Sequence, residues 1–158
     1  MKSLKSREFK VKISLVKSKQ ELLNNISNEL KFPPWGENWD ALDEMYSCMY
    51  WLDADIVKIY HEDVSCLPEA DLRVYLSIME DRKNTPENHQ LYFYMNNDDV
   101  LRVESIRPGF FELEQVRVYH SDDSKDVSYY NNYNWLNENK SVIGRRCTDV
   151  VRHGNGTD

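Results

Sequence analysis

The chain has 158 residues, with 20 Lys and Arg against 27 Asp and Glu and a formal net charge of −7, enough for one domain, or one domain with an extension. Its 41% hydrophobic and 30% charged residues are typical of a soluble globular protein, and no apolar run approaches the roughly 20 residues of a membrane span. The basic N-terminus lacks a signal peptide's apolar core, and Cys48, Cys66 and Cys147 suit neither a zinc site nor a disulfide framework, so a cytoplasmic protein with reduced thiols is expected.

The charge is unevenly spread. Residues 1–31 hold eight Lys/Arg and three Asp/Glu, net +5; residues 32–99 hold four and fifteen, net −11; residues 100–158 hold eight and nine, net −1. An acidic middle argues against nucleic acid as a direct partner, because phosphate binding needs basic contacts. It favours a basic protein drawn in by the field. A solvated face kept for solubility is the competing reading.

Residues 9–16 alternate, with Phe9, Val11, Ile13 and Leu15 on one side, and predict a strand. Ser18 can cap a helix from Lys19, with Glu21 placed as in a capping box and Leu22, Leu23, Ile26 and Leu30 as its buried stripe. Phe32 closes that helix and Pro33-Pro34 stops it, since proline lacks the N–H and pushes its predecessor out of the α region. Trp35 stands in a short loop ended by Gly36, which can take an unusual backbone angle. Asn38 can cap a second helix running from Trp39 to about Trp51, with Leu42 and Met45 or Tyr46 inward and Glu37, Asp40, Asp43 and Glu44 between. Asp40 and Glu44, four apart, share one helix face.

Residues 56–60, IVKIY, read as a buried strand. Pro68 suits a helix start, with Glu69 and Asp71 complementing the dipole and Leu72, Tyr75, Leu76 and Met79 facing in. Residues 85–88 read as a turn, and residues 90–95 as a third strand. Residues 9–95 thus spell strand, helix, helix, strand, helix, strand: a small three-stranded parallel sheet with helices packed on it. Residues 1–96 form the expected α/β domain and residues 97–158 a C-terminal extension. In it, residues 100–106 and 113–119 read as two strands joined at Pro108-Gly109. The Tyr- and Asn-rich residues 121–139 carry no clear pattern.

The stretch Pro33, Trp35, Gly36-Glu37-Asn38, Trp39, Asp40-Ala41-Leu42 resembles the signature of the barstar family, intracellular protein inhibitors of bacterial ribonuclease, and the element order over residues 9–95 matches that family's fold. The resemblance covers about the first three-fifths of the chain. It implies that loop and second helix plug a nuclease active site, their carboxylates replacing RNA phosphates among the enzyme's cations. By position, Asp40 matches the family's first helix aspartate, and Glu44 stands where the family has a second aspartate. Asp43 replaces a family tryptophan. Trp35 matches the second of two loop tyrosines, in a loop one residue shorter, and Glu80 matches a further acidic contact. The implied partner-binding set is Trp35, Gly36, Glu37, Asn38, Asp40, Asp43, Glu44 and Glu80.

The expected function is an immunity protein against a cognate ribonuclease toxin that is not barnase itself, as in toxin–antitoxin or contact-dependent inhibition systems. It would act as a monomer in a 1:1 complex, with no cofactor, metal or catalytic residue. Other readings stay open. Trp35 and Trp39 can be core instead of contacts, Asn38 a cap, and Glu80 an exposed charge. The acidic helix can serve a basic partner that is no nuclease. Paired carboxylates can also hydrolyse glycosides, but no nucleophile motif or phosphate-binding glycine loop accompanies them.

Overall fold

The computed structural model describes residues 7–82 and 89–120. In chain order they form β1 (Glu8–Ile13), α1 (Lys19–Glu29), α2 (Trp39–Cys48), β2 (Ile56–His61), α3 (Glu69–Glu80), β3 (Gln90–Asn96), a 3-10 turn (Asn97–Asp99), α4 (Val100–Ile106), a second 3-10 turn (Phe110–Glu112) and β4 (Val116–Tyr119). The strands make one sheet in the order β1-β2-β3-β4, with every neighbouring pair parallel.

A monotonic order of parallel strands joined by crossovers of one hand places every connecting helix on the same face. The core agrees. Val11, Ile13, Val57, Ile59, Leu91, Phe93, Met95, Val116 and Val118 point to one side and share a cluster with buried residues of all four helices. The other side carries a separate cluster of Tyr60, Tyr92, Tyr94 and Tyr119, to which no helix residue belongs.

Local signals set the helix ends. Ser18 Oγ accepts from the Glu21 N–H at 3.1 Å, and Glu21 Oε1 accepts from the Lys17 N–H at 2.8 Å, so the capping box reaches one residue further back than expected. Leu22, Leu23, Ile26 and Leu30 are fully buried, each worth roughly 1.5–3 kcal/mol of transfer free energy. On α3 the inward set Leu72, Tyr75, Leu76 and Met79 is likewise fully buried.

Three expectations need correction. The sheet has four strands, not three, because β4 adds to β3 with Phe93 opposite Val116. Residues 100–106 are not a strand but helix α4, which buries Val100, Val103 and Ile106. The expected hairpin is therefore a crossover, the connection a parallel neighbour requires; its turn uses Gly109 at φ 87°, a left-handed angle open to glycine. Cys66 is disulfide-bonded while Cys48 is a free thiol, so the three-reduced-thiols reading fails at Cys66. Residues 85–88 and 121–139 lie outside the described residues.

The segment after β3 is knitted into the rest. Arg102 donates to the carbonyls of Val64 (2.7 Å), Ser65 (3.2 Å) and Leu67 (2.6 Å), clamping the loop before α3. Buried Asn96 donates to Glu62 O at 3.0 Å. Gln115 Nε2 donates to Met79 O and Glu80 O at 3.2 and 3.0 Å, holding the end of α3, where Met79 O also accepts from the Arg82 N–H at 3.1 Å.

Candidate protein-binding site

Helix α2 and the loop before it are held rigidly from beneath. The α1 C-terminus turns through Lys31 at φ 58°, and Phe32 N–H donates to Ser27 O at 2.9 Å. Phe32 meets Trp35 and Trp51 edge to face, at 4.9 and 5.1 Å between centroids, and Trp51 Nε1 donates to Leu30 O at 2.8 Å. Trp35 thus packs partly inward as a brace. Trp39 is also partly buried, stacking on Tyr75 at 6.2 Å with Lys19 Nζ 5.8 Å from its ring centroid.

Gly36 plays a different part from the one expected. The left-handed residue is Glu37, at φ 56°, an angle uncommon for a side chain with a Cβ. Gly36 is needed for closeness instead: a Cβ there would sit 3.1 Å from Ala41 Cβ. Asn38 is the N-cap of α2, its Oδ1 accepting from the Ala41 N–H at 2.8 Å. The helix ends at Cys48, short of Trp51, because Met49 turns left-handed at φ 40°.

This frame presents the carboxylates in two states. Glu37, Asp40 and Glu44 are exposed, and none of their carboxylates has a hydrogen-bond or ion-pair partner among the described residues. Asp40 lies in the first turn of α2, where the helix dipole favours a negative charge. Asp43 and Glu80 are already engaged. Asp43 Oδ1 lies 3.1 Å from Arg82 Nη2, and Glu80 pairs with Arg107. Asp43 Oδ1 and Arg82 Nε make no hydrogen bond, so this contact is an ion pair by proximity only. Beyond α2, Tyr50 stands 73% exposed against Trp51, an aromatic flank that the sequence pattern did not single out. Arg82 and Arg107 were also missed, since both reach their carboxylates across long sequence separations.

Under the face lies a buried polar chain. His61 Nδ1 is 3.1 Å from Tyr94 O, and His61 Nε2 is 2.6 Å from Tyr75 Oη. Tyr75 and Tyr46 hydroxyls are 2.7 Å apart. A carbonyl only accepts, so Nδ1 carries the proton of the neutral ring and Nε2 accepts from Tyr75, which accepts from Tyr46. Burial pushes His61 down to about 4, only partly offset by its backbone bond, and burial raises Tyr46 and Tyr75 above the ordinary phenol range. The chain is therefore neutral and directional at pH 7, tying α2 and α3 to the strands. Among the described residues no cluster of three or more His, Cys, Asp or Glu could hold a metal, and no helix is long and apolar enough to cross a membrane.

Fold and site together define a parallel α/β domain with an acidic helix–loop face. The family model described as barstar (barnase inhibitor) matches residues 6–96, and the chain belongs to that family. The match ends with β3, so α4 and the fourth strand lie outside it. No curated protein and no solved structure matches the chain.

Proposed function

We propose that this protein inhibits a ribonuclease by seating the α2 face in the enzyme's cationic cleft. The observation that carries the reading is that Glu37, Asp40 and Glu44 project from a braced helix and loop with no cation against them among the described residues. Family membership supplies the partner class. A nuclease cleft is lined to hold phosphodiester oxygens. Carboxylates at fixed helical spacing offer oxygens to the same cations and cannot be cleaved. Gly36 and Asn38 fix the approach of the loop, and Trp35 contributes its exposed part. Asp43 and Glu80 contribute less, because each must first loosen its hold on Arg82 or Arg107.

The target on this reading is a cognate toxin rather than barnase. Glu44 reaches one methylene further than an aspartate, and Asp43 offers no aromatic surface. The role is immunity for the producing cell, in a 1:1 complex and without a catalytic step. The test is co-purification with the product of the adjacent gene, followed by RNA cleavage with and without this protein. Stoichiometric suppression of cleavage supports the reading. A tight complex with a basic protein that cleaves no RNA would instead indicate a general acidic docking module.

A further inference from the structure

The exposed stripe of α2 does not end at its carboxylates. Asp40, Glu44, Ser47 and Cys48 are the exposed positions of the helix, and their spacing sets them down one side of it. Met49, fully buried, then turns the chain left-handed at φ 40°, an angle that a side chain with a Cβ adopts only at a cost. The next residue, Tyr50, is turned outward and stands 73% exposed. Among the described residues it is the most exposed of the large hydrophobic side chains.

A tyrosine exposed singly needs no explanation, but this one ends a row. Tyr50 meets Trp51 edge to face at 5.4 Å, Trp51 meets Phe32 at 5.1 Å, and Phe32 meets Trp35 at 4.9 Å. The row starts in the loop before α2 and finishes just past the C-terminus of that helix. Its middle is anchored, since Trp51 Nε1 donates to Leu30 O at 2.8 Å. Elsewhere the protein sets its own cations over its rings: Lys19 over Trp39, Lys31 over Phe9, Lys58 over Tyr94 and Arg117 over Tyr92. Among the described residues no Lys or Arg does so for Tyr50 or Trp51.

We propose, building on the ribonuclease reading above, that the contact surface runs past the carboxylates to Tyr50, and that the ribonuclease lays an arginine from outside its cleft on the Tyr50 ring. Three features of the surroundings call for a cation there. The ring is open to solvent with no cation of this protein over it. The negative end of the α2 dipole lies beside it, and no basic residue in the last turn offsets that charge. The exposed Glu44 carboxylate stands one turn back along the same stripe. Arginine suits these together better than lysine, because its planar guanidinium stacks on a ring and keeps its N–H groups free for oxygens at the edge. Tyr50 is thus the residue that selects among ribonucleases with equally basic clefts, since it reads the rim and not the phosphate-binding centre.

The experiment uses the full chain and a ribonuclease that co-purifies with it, in an inhibition titration of RNA cleavage. Tyr50→Ala should weaken inhibition about fivefold or more, Tyr50→Leu as much because it keeps apolar area without a ring face, and Tyr50→Phe less than about twofold. Phenylglyoxal footprinting of the complex, read by peptide mass spectrometry, should find a ribonuclease arginine that bound oligonucleotide does not shield, protected by the parent and by Tyr50→Phe but reactive beside Tyr50→Leu. An unchanged urea midpoint checks that each variant keeps its fold; where it falls, the footprint with the parent decides, and absence of a shielded arginine outside the cleft overturns the proposal. Inhibition by Tyr50→Ala equal to the parent's overturns it and leaves the ribonuclease reading standing. Inhibition by Tyr50→Leu equal to the parent's overturns the arginine, because apolar area then suffices. If no ribonuclease co-purifies with the parent, the ribonuclease reading falls first and this inference with it.

Discussion

At the scale of single residues, the acidic loop works because small groups sit where larger ones cannot. Gly36→Ala would bring a Cβ to 3.1 Å of Ala41 Cβ, and the start of α2 would have to move. The expected cost is about 1–3 kcal/mol, the range for overpacking a tight contact, measured as a lower urea midpoint. An unchanged midpoint would show that the loop gives way freely. The sequence pointed to glycine here for its backbone freedom, whereas the structure uses its lack of a side chain. The left-handed angle falls at Glu37, one residue on, while residue 36 packs closely against Ala41. The four-residue spacing of Asp40 and Glu44 placed them on one helix face, and only the family resemblance of the surrounding stretch marked that face as a partner contact. Asp43 looked equivalent and is not, because Arg82 at the far end of α3 stands against it, and nothing near Asp43 in sequence announces that.

At the scale of elements, capping residues and periodic apolar stripes made α1, α2, α3 and the first three strands readable. Asn38 is the clearest case: its side chain takes the Ala41 N–H at 2.8 Å. Asn38→Ala should lower stability by about 1 kcal/mol and loosen the first turn that carries Asp40, seen as faster amide exchange at Ala41 and Leu42. Equal exchange in both proteins would show that the cap does not hold that turn. Helix α4 was misread for a physical reason. Val100, Val103 and Ile106 are buried at three-residue spacing, but Leu101 and Val103 also stand two apart. The run is short and partly β-branched, so alternation fits it nearly as well. What settles it as a helix is tertiary: Arg102 reaches three carbonyls of the loop before α3. No local pattern contains that information.

At the scale of the whole molecule, the buried chain from Tyr46 through Tyr75 and His61 to Tyr94 couples α2 to the sheet and makes stability depend on pH. His61 has a folded value of about 4 against about 6.5 in an unfolded chain. Between those values the unfolded state binds the additional proton, so stability rises with pH from 4 to 6.5 and the contribution is complete above that window. The full span is worth about 3 kcal/mol at roughly 1.4 kcal/mol per unit. Urea titration should find the parent about 2 kcal/mol less stable at pH 5 than at pH 7, and His61→Gln should remove most of that difference. A parent equally stable at both values would contradict a neutral buried imidazole.

The same scale holds the functional claim, that carboxylates of α2 occupy a cationic cleft in place of RNA phosphates. The most direct measurement is an inhibition titration of RNA cleavage by a ribonuclease that co-purifies with this protein, comparing the parent with the Asp40→Asn, Glu44→Gln double variant. Both changes keep side-chain shape and remove only charge. The expected result is inhibition weakened about a hundredfold or more, from two charge-assisted contacts of roughly 1.5–3 kcal/mol each, with a shallower salt dependence than the parent. A double variant that inhibits as tightly as the parent would contradict it.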